Sequence, residues 1–398
     1  MMHKSWIIVA GIVTFLAATQ PVSAEVWFTP EAIFWNRTSG SDTNYLTGPN
    51  SLSSDSADSG FQPGYRYIIG AGFMEYEVEA QFTRIDNWGG TSTGSLTAPV
   101  SFDNNFSNPL LFPAGSNRIS NRSGVFDAAT RDLVNPEGEF LRSGALYRIQ
   151  NESTLRDFQI NVGPNRRLNW YRWTVGYRQL TLTENSGFRL SGQFDSLDTD
   201  DAAGPGLPGN LGNDGLSHAN LVAAGFTNIA GGADGYNSIN TLAIPPTVDI
   251  VDVLSNGSAR NRLEGFQASL IGQHQIAPNL FLEGFGRFGL YRNDVQGSVT
   301  EALIGSGISD NSVYIRRLSD SRDKAAFVTN LGFNLYLDLT DYISLTTGYE
   351  ALFIHGVAVG GDQTRGVSRD PFGTLNYQVE ANNLVIAHGT KVGLEVRW

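Results

Sequence analysis

The sequence predicts an all-β protein: a transmembrane antiparallel up-and-down β-barrel of about ten strands (about 8 to 12), with short periplasmic turns and long extracellular loops. Three observations predict it: an N-terminal export signal, a C-terminal strand that alternates apolar and polar residues, and connections that are alternately long and short. Only helices and closed barrels satisfy every backbone hydrogen bond in lipid. Because no stretch after the export signal is apolar enough for a spanning helix, strands must cross the membrane.

Residues 1–24 have the pattern of a secretory signal peptide. Lys4 supplies a basic head, residues 6–18 an apolar core, and Ala24 the end of a small-residue cleavage site. The apolar core is too short to remain as a spanning helix, which needs about 20 residues. We therefore expect residues 25–398 to be exported and to form a single barrel in the outer membrane.

Composition excludes several other classes of function. The formal net charge of -12 argues against a nucleic-acid partner, which requires a basic face. The chain has 0 cysteines, which rules out a disulfide framework and cysteine-based metal or thiol chemistry. We predict no cofactor and no bound metal.

The first three predicted strands alternate strictly. In the first, Phe28 faces one way and Glu31 the other; in the second, Tyr65 is opposed to Arg66; in the third, Tyr76 begins the apolar face. This period of two is the mark of a strand with one apolar and one polar surface. The predicted ranges are residues 25–37, 62–73 and 74–86.

The middle strands follow after a long polar region. Phe158 and Ile160 share one face of the fourth strand, and Tyr171 and Trp173 share the apolar face of the fifth, opposite Arg172. After a second long region the chain becomes regular again and forms the remaining strands. The predicted ranges are residues 154–163, 168–183, 261–275, 280–295, 323–338, 342–358 and 383–398.

Connection lengths supply the argument for a closed barrel. Short turns and long loops alternate along the whole chain, which is the arrangement of single-chain outer-membrane barrels with an even strand number. The first strand then leaves the periplasm and the last returns to it. The predicted external loops are residues 38–61, 87–153, 184–260, 296–322 and 359–382.

Four short stretches carry a family resemblance. Residues 173–184 (WTVGYRQLTLTE), 346–361 (TTGYEALFIHGVAVGG) and 388–398, with the aromatic opening at 31–35 (EAIFW), resemble the beta-barrel porin family of planctomycete outer membranes. The resemblance implies an outer-membrane barrel and brings no catalytic residue with it. This chain departs from the cysteine-containing members, so any loop disulfide of those relatives is missing here.

The partners we expect are outer-membrane lipid and, during insertion, the barrel-assembly machinery. The assembly machinery is expected because the resemblance implies that the C-terminal strand ends in an insertion signal. Oligomeric state is left open. The residues of the signal are Val392, Leu394, Val396 and Trp398.

The inward faces of the strands collect charges of both signs. Two interpretations stand: a lumen filled by paired charges, or a charged pore lining in which the ladder Glu75, Glu77 and Glu79 forms a cation-selective patch. A turn near residues 70–73 places Arg66 opposite Glu77 and predicts an ion pair. The predicted lumen network is Arg66, Glu75, Glu77, Glu79, Arg178, Glu283, Arg287, Glu350 and Glu395.

Other candidate sites favour a structural interpretation. His355 and His388 should be neighbours, but both face outward near the external rim, as interfacial residues do rather than metal ligands. His218 lies in the longest loop without a recognisable catalytic partner. The oxygen-rich stretches at 195–201 and 231–237 lack the spacing of a calcium-binding loop and are interpreted as solvated loop.

These observations favour a non-enzymatic outer-membrane barrel with a structural or surface-interaction role through its external loops. The first alternative is a narrow, passive, porin-like channel for small solutes or ions. The second is an outer-membrane enzyme with its site at the loop mouth.

Overall fold

The computed structural model describes most of the mature chain. Residues 1–24, predicted as the signal peptide, lie outside the described residues, as do His218, the stretch at 231–237 and the end of the stretch at 195–201. No helix in the described part is long and apolar enough to cross a bilayer. The described residues are 25–38, 43–47, 51–57, 60–97, 100–101, 119–120, 138–141, 143–165, 170–197, 222, 225–230, 249–306, 312–369 and 375–398.

In the described part of the chain, ten long antiparallel strands form the barrel, in agreement with the predicted fold class. Consecutive strands are neighbours throughout, so the topology is up-and-down. The strands are β1 (Glu25–Thr38), β2 (Gln62–Phe73), β3 (Tyr76–Ser95), β4 (Leu146–Pro164), β5 (Tyr171–Leu197), β6 (Asp249–Ala277), β7 (Leu280–Ser306), β8 (Val313–Asp338), β9 (Ile343–Val357) and β10 (Asn383–Arg397).

The sheet closes on itself. β1 pairs with β2 on one side and with β10 on the other, and the pairing of β5 with β6 completes the ring. At the junction of the first and last strands Glu31 is opposite Gly393, and Val26 exchanges two backbone hydrogen bonds with Trp398. A closed barrel has no free edge, so every strand satisfies its backbone groups within the sheet.

The strands near the middle of the chain are much longer than predicted. β6 has 29 residues and β5 has 27, whereas a tilted strand crosses a bilayer in about 9–11 residues. The additional residues come from stretches predicted as external loops, at 87–95, 146–153, 184–197, 249–260, 296–306 and 313–322. The barrel wall therefore continues well beyond the part that faces lipid.

The outer surface of the barrel divides at a sharp boundary. Tyr177, Phe266 and Phe327 are exposed apolar residues on the lower part of the wall. One step higher on the same outer face are Glu264, which accepts a hydrogen bond from Gln179, and other charged side chains. An outer barrel surface with an apolar band below a charged region is typical of membrane barrels; we call the part above the boundary the extension.

The opposite rim is lined by aromatic residues. Trp170, Tyr342 and Trp398 are exposed beside the short turns that join β4 to β5 and β8 to β9 and beside the chain end. Aromatic residues at membrane rims place an apolar ring in lipid and a polar tip in the interface. The short-turn end of the barrel is thus the end predicted to face the periplasm.

The alternation of the strands inverts at the boundary, as β5 illustrates. Below it, Trp173 and Tyr177 are exposed and Arg178 is buried inside. Above it, the inward positions become apolar, with Leu182 and Leu190 fully buried. Lipid requires an apolar outside, whereas in water the barrel is stabilised by an apolar inside. The predicted strands ended at this inversion, because they were identified by apolar residues on the outward face, and above the boundary those residues lie on the inward face.

Small elements complete the extension. A two-stranded hairpin, Val367–Arg369 with Leu375–Tyr377, lies in the loop between β9 and β10. Five short strands join the barrel sheet directly or through one another, and another pairs with β8. They are Asn44–Thr47, Leu52–Ser53, Val100–Ser101, Ile119–Ser120, Gly138–Leu141 and Thr227–Ala230.

Candidate functional site

The short-turn end of the lumen is an open vestibule of about 770 Å³. Trp170, Phe281 and Tyr336 line it together with polar residues of the short turns. Above it lies a smaller cavity of about 40 Å³ among the inward charges. The two cavities share Glu283 and Tyr336 as lining residues, so they adjoin.

Arg66 is the centre of the inward charges. Its side chain is 2 % exposed and forms ion pairs with Glu31, at 3.3 Å, and with Glu350. Its Nε donates to Thr83 Oγ1 at 2.9 Å. Lys391 Nζ lies 3.7 Å from Glu31 Oε1 and 3.8 Å from Glu350 Oε2. Two buried cations and two buried carboxylates from four strands therefore balance one another.

A second ion-pair group is built on Arg172. It pairs with Glu77 and donates from Nη2 to Glu283 Oε2 at 2.9 Å. Asn334 donates to the other oxygen of Glu283 at 2.9 Å. This group joins β3, β5, β7 and β8 across the lumen.

Two further carboxylates of the lumen are paired. Arg178 donates to both oxygens of Asp157, at 2.8 and 2.9 Å, the planar two-bond geometry that guanidinium and carboxylate favour. Glu395 accepts from Arg397 Nε at 2.5 Å and from Thr29 at 3.3 Å. The lumen is thus filled largely by paired charges in its lower part.

The structure corrects the predicted partner of Arg66. The hairpin turns at Met74, where φ is 53°, rather than at residues 70–73. Arg66 is therefore opposite Thr83, and Glu77 is opposite Gly72. The Arg66–Glu77 pair is wrong because the turn lies further along the chain, which shifts the register.

The predicted glutamate ladder does not form as a unit. Glu75 lies in the exposed turn outside the lumen, and Glu77 pairs with Arg172. Glu79 lines the small cavity. The three side chains therefore occupy three different environments.

An apolar layer closes the lumen above the charges. Trp35 and Trp88 pack with ring centroids 6.5 Å apart, and the Arg66 guanidinium lies 5.6 Å from the Trp35 ring at the border of the two layers. All members of the layer have exposures of 2 % or less. They are Ile33, Trp35, Ile85, Trp88, Leu155, Leu180, Leu182, Leu263, Tyr291, Ala326, Val328, Leu352, Ile354, Val357, Val359, Val385 and Ala387.

A segment that begins at the end of β9 folds into the barrel, contributes Val357 and Val359 to this layer and continues above it. We call residues 356–363 the plug. Asn261 holds it by two hydrogen bonds of 2.7 Å, donating to the carbonyl of Ala358 and accepting from its amide. Gln363, which is 0 % exposed, donates to the carbonyls of Val359 and Glu380 at 2.9 Å. Side-chain amides thus satisfy the backbone of a buried loop.

The chain enters the plug at Gly356, which has a φ of 82°. A side-chain carbon added there would lie 2.8 Å from the carbonyl oxygen of Ala325. The left-handed conformation and the close approach both require glycine at this position.

Above the plug, polar groups connect it to the wall. Arg37 pairs with Glu184 at 2.5 Å, and Thr43 donates to Asp362 at 2.5 Å. Tyr45 in the extension donates to Ser186 at 2.6 Å. Burial raises the pKa of Tyr45 to about 12, so its hydroxyl remains protonated and able to donate at neutral pH.

The extension has its own apolar core. The rings of Tyr45 and Phe188 stack at 4.8 Å. Leu190, Val253 and Tyr314 are buried in the same cluster. The described lumen is therefore filled from the charged layer to the top of the extension.

Among the described residues, the two histidines predicted to face outward lie on the outer face of the barrel and not in the lumen. On the outer surface, the Tyr349 hydroxyl and His388 Nδ1 form a hydrogen bond of 2.6 Å. His355 is exposed. In the part of the chain that the structure describes, no group of three or more histidine, aspartate or glutamate residues is arranged to hold a metal ion.

Sequence reasoning missed two residues of this site for different reasons. Asp157 alternates with outward Phe158 in a predicted strand, so the period of two was sufficient to find it. Asn261 was also in a predicted strand, but its partner Ala358 is 97 residues away in a loop. No local signal reveals such a contact.

Comparison with known proteins does not assign this chain to a family. No protein-family model matches the chain, and no curated protein matches it. The resemblance to the planctomycete porin family is therefore not confirmed.

Solved structures with a similar arrangement are outer-membrane proteins. They include the outer-membrane protease OmpT of Escherichia coli (8% identity, 96% of this chain and 99% of that chain, TM-score 0.36). The toluene transporter TodX of Pseudomonas putida is 8% identical over 96% of this chain and 91% of that chain, with a TM-score of 0.22. A FadL homologue of Pseudomonas aeruginosa is 10% identical over 94% of this chain and 90% of that chain, with a TM-score of 0.22. At these identities the likeness concerns the barrel fold alone.

This comparison contradicts the expectation that the chain is not an enzyme. Barrels of this architecture include a protease as well as transporters. That expectation rested on the lack of a recognisable catalytic motif and on a resemblance that brought no catalytic residue with it. Neither excludes catalysis.

Proposed function

We propose that this protein is a closed outer-membrane barrel that acts at the cell surface by binding through its extension and external loops. The observation that carries the proposal is the filled lumen: paired charges, the apolar layer and the plug follow one another along the barrel axis. A solute crossing the barrel would have to displace all three. This packing argues against the passive-channel alternative.

The location of the proposed activity follows from the outer surface. The apolar band fits the hydrocarbon of a bilayer. The extension carries exposed ion pairs such as Arg292–Asp323, at 2.6 Å, which suit water rather than lipid. Long loops rise from the same end, and we place the binding surface there. Membership of the planctomycete porin family belongs to this proposal as well.

Single cysteines test the orientation, because the chain has 0 native cysteines. Arg292→Cys lies in the extension, where the arginine side chain is 75% exposed. Asp341→Cys lies in an exposed turn at the opposite end. We expect a membrane-impermeant maleimide to label the first variant on intact cells and the second only after the outer membrane is permeabilised. The reverse pattern would overturn the proposal.

Planar-bilayer recording tests the closed lumen. We expect the purified protein to give no unitary conductance steps, with an open porin as the positive control. The Glu77→Gln variant should be equally silent. Defined, salt-dependent steps whose size changes in Glu77→Gln would support the channel instead.

A further inference from the structure

Two charged side chains of the lower lumen differ from the rest. Among the described residues, Glu79 makes no hydrogen bond or ion pair, and Arg287 has no carboxylate within ion-pair distance. The inward charges described above each have an oppositely charged partner. Both side chains line the same small cavity.

Neutral neighbours hold Arg287 in place. Its Nη1 is 3.3 Å from Gln81 Oε1 and 3.4 Å from Gln159 Oε1. Its guanidinium lies 5.0 Å from the centre of the Phe285 ring. These are weak contacts for a cation away from bulk water, where a charge is costly unless it is paired.

Glu79 lines the same cavity as this guanidinium and lies on the strand that contacts it. Glu79 and Gln81 occupy the same face of β3 two positions apart, so their Cα atoms are separated by about 7 Å. Because Gln81 contacts Arg287 directly, a carboxylate and a guanidinium face one cavity without meeting. A molecule that carries both an ammonium and a carboxylate group can pair with both side chains, with a hydrogen bond of about 2.8 Å at each end.

We propose that the cavity binds the zwitterionic head of a small α-amino acid from the periplasm. The ammonium group pairs with Glu79 and the carboxylate with Arg287. The cavity of about 40 Å³ has room for about three water molecules, enough for the charged head alone. The side chain of the amino acid then extends into the vestibule, past Tyr336 and toward Trp170 and Phe281.

This site is distinct from the surface proposed above. It opens at the periplasmic rim, below the apolar layer, and requires no passage through the barrel. Its ligand is recognised by paired opposite charges rather than by the external loops. Only the arrival of the ligand from the periplasm rests on the orientation proposed above; binding at the cavity does not depend on the external loops, so the two proposals can fail separately.

Calorimetry on the full-length protein in detergent tests the inference, with glycine and L-phenylalanine as probes. Glycinamide lacks the carboxylate and N-acetylglycine lacks the ammonium. We expect saturable binding of both amino acids and at least about tenfold weaker binding of each analogue, because a charge-assisted hydrogen bond contributes about 1.5–3 kcal/mol. Equal binding of glycine and either analogue, or no saturable binding, would overturn the proposal.

Two variants assign the charges. Glu79→Gln should weaken glycine binding by about tenfold or more while leaving N-acetylglycine unchanged, and Arg287→Gln should show the converse pattern with glycinamide. Glu75→Gln in the exposed turn and Arg292→Gln in the extension are the matched controls and should bind as the wild type does. Heat-modifiable gel mobility verifies folding. Unchanged glycine affinity in both folded cavity variants would contradict the assignment.

Discussion

At the scale of single residues, the lower lumen is governed by the cost of removing charge from water. Glu31 and Glu350 are buried, and each is balanced by Arg66 and Lys391. A buried ion pair contributes little net stability, because desolvation offsets attraction, yet removal of one partner is severe. The intact network therefore adds little to the free energy of unfolding, whereas removal of one charged member would lower that free energy strongly.

Arg66→Gln should destabilise the barrel by about 3–5 kcal/mol, since it leaves buried carboxylates without their main counter-charge. Urea unfolding of the detergent-solubilised protein measures the change. Arg292→Gln is the control: it breaks an ion pair whose side chains are 75% and 55% exposed, worth about 1 kcal/mol or less. Equal stability of the two variants would contradict the proposed role of Arg66.

At the scale of elements, the plug depends on one amide and one glycine. Asn261 forms both hydrogen bonds to the backbone of Ala358, and Gly356 adopts the conformation that turns the chain inward. The apolar residues of the plug, Val357, Ala358 and Val359, are 0 % exposed. The plug is therefore part of a predicted external loop that lies inside the barrel and is bound there by a side chain of the wall.

Gly356→Ala and Asn261→Leu should each shift the plug toward an open state. A left-handed conformation costs a residue with a side chain about 1–2 kcal/mol, which corresponds to roughly a tenfold change in the open population. Limited proteolysis between residues 356 and 382 should accelerate by about that factor, because cleavage follows the population of the open form.

Gly284→Ala is the matched control for the plug. A side-chain carbon at Gly284 has no neighbour within 4 Å, so proteolysis of this variant should equal that of the wild type. If Gly356→Ala is cleaved no faster than Gly284→Ala, the plug is not held as described.

At the scale of the whole molecule, closure depends on the two ends of the chain. Val26 and Trp398 exchange hydrogen bonds of 3.1 and 3.0 Å where β1 meets β10. Val392, Leu394 and Trp398 are exposed on the apolar outer face. They are available to a partner before the barrel closes, which supports their proposed use as an insertion signal.

Deletion of Trp398 should impair assembly more than deletion of any external loop. The amount of heat-modifiable protein in the outer-membrane fraction measures assembly. Trp398→Phe retains an aromatic C-terminus and should assemble normally. Normal insertion of the deletion variant would argue strongly against a C-terminal signal.

Much of the architecture could be predicted from the sequence, and the part that could not has a physical cause. Strand number, topology and the inward position of Arg66 or Glu350 follow from a period of two and from alternating loop lengths. The prediction for the partner of Arg66 depended on the location of a single turn. Because the turn lies further along the chain than predicted, Arg66 is opposite Thr83 and not Glu77. Local pattern thus assigned faces but not partners.

By itself, the sequence determined that this protein is a barrel with charges inside and apolar residues outside, because lipid imposes that alternation on each strand separately. Only the tertiary structure decided that the described lumen is filled. The apolar layer combines residues from many strands, and the plug joins Asn261 to Ala358 over a long separation. The extension escaped prediction because water outside the barrel reverses the pattern that lipid requires. Glu79 and Arg287 differ from the other inward charges only in having no oppositely charged partner among the described residues, which the three-dimensional arrangement alone reveals.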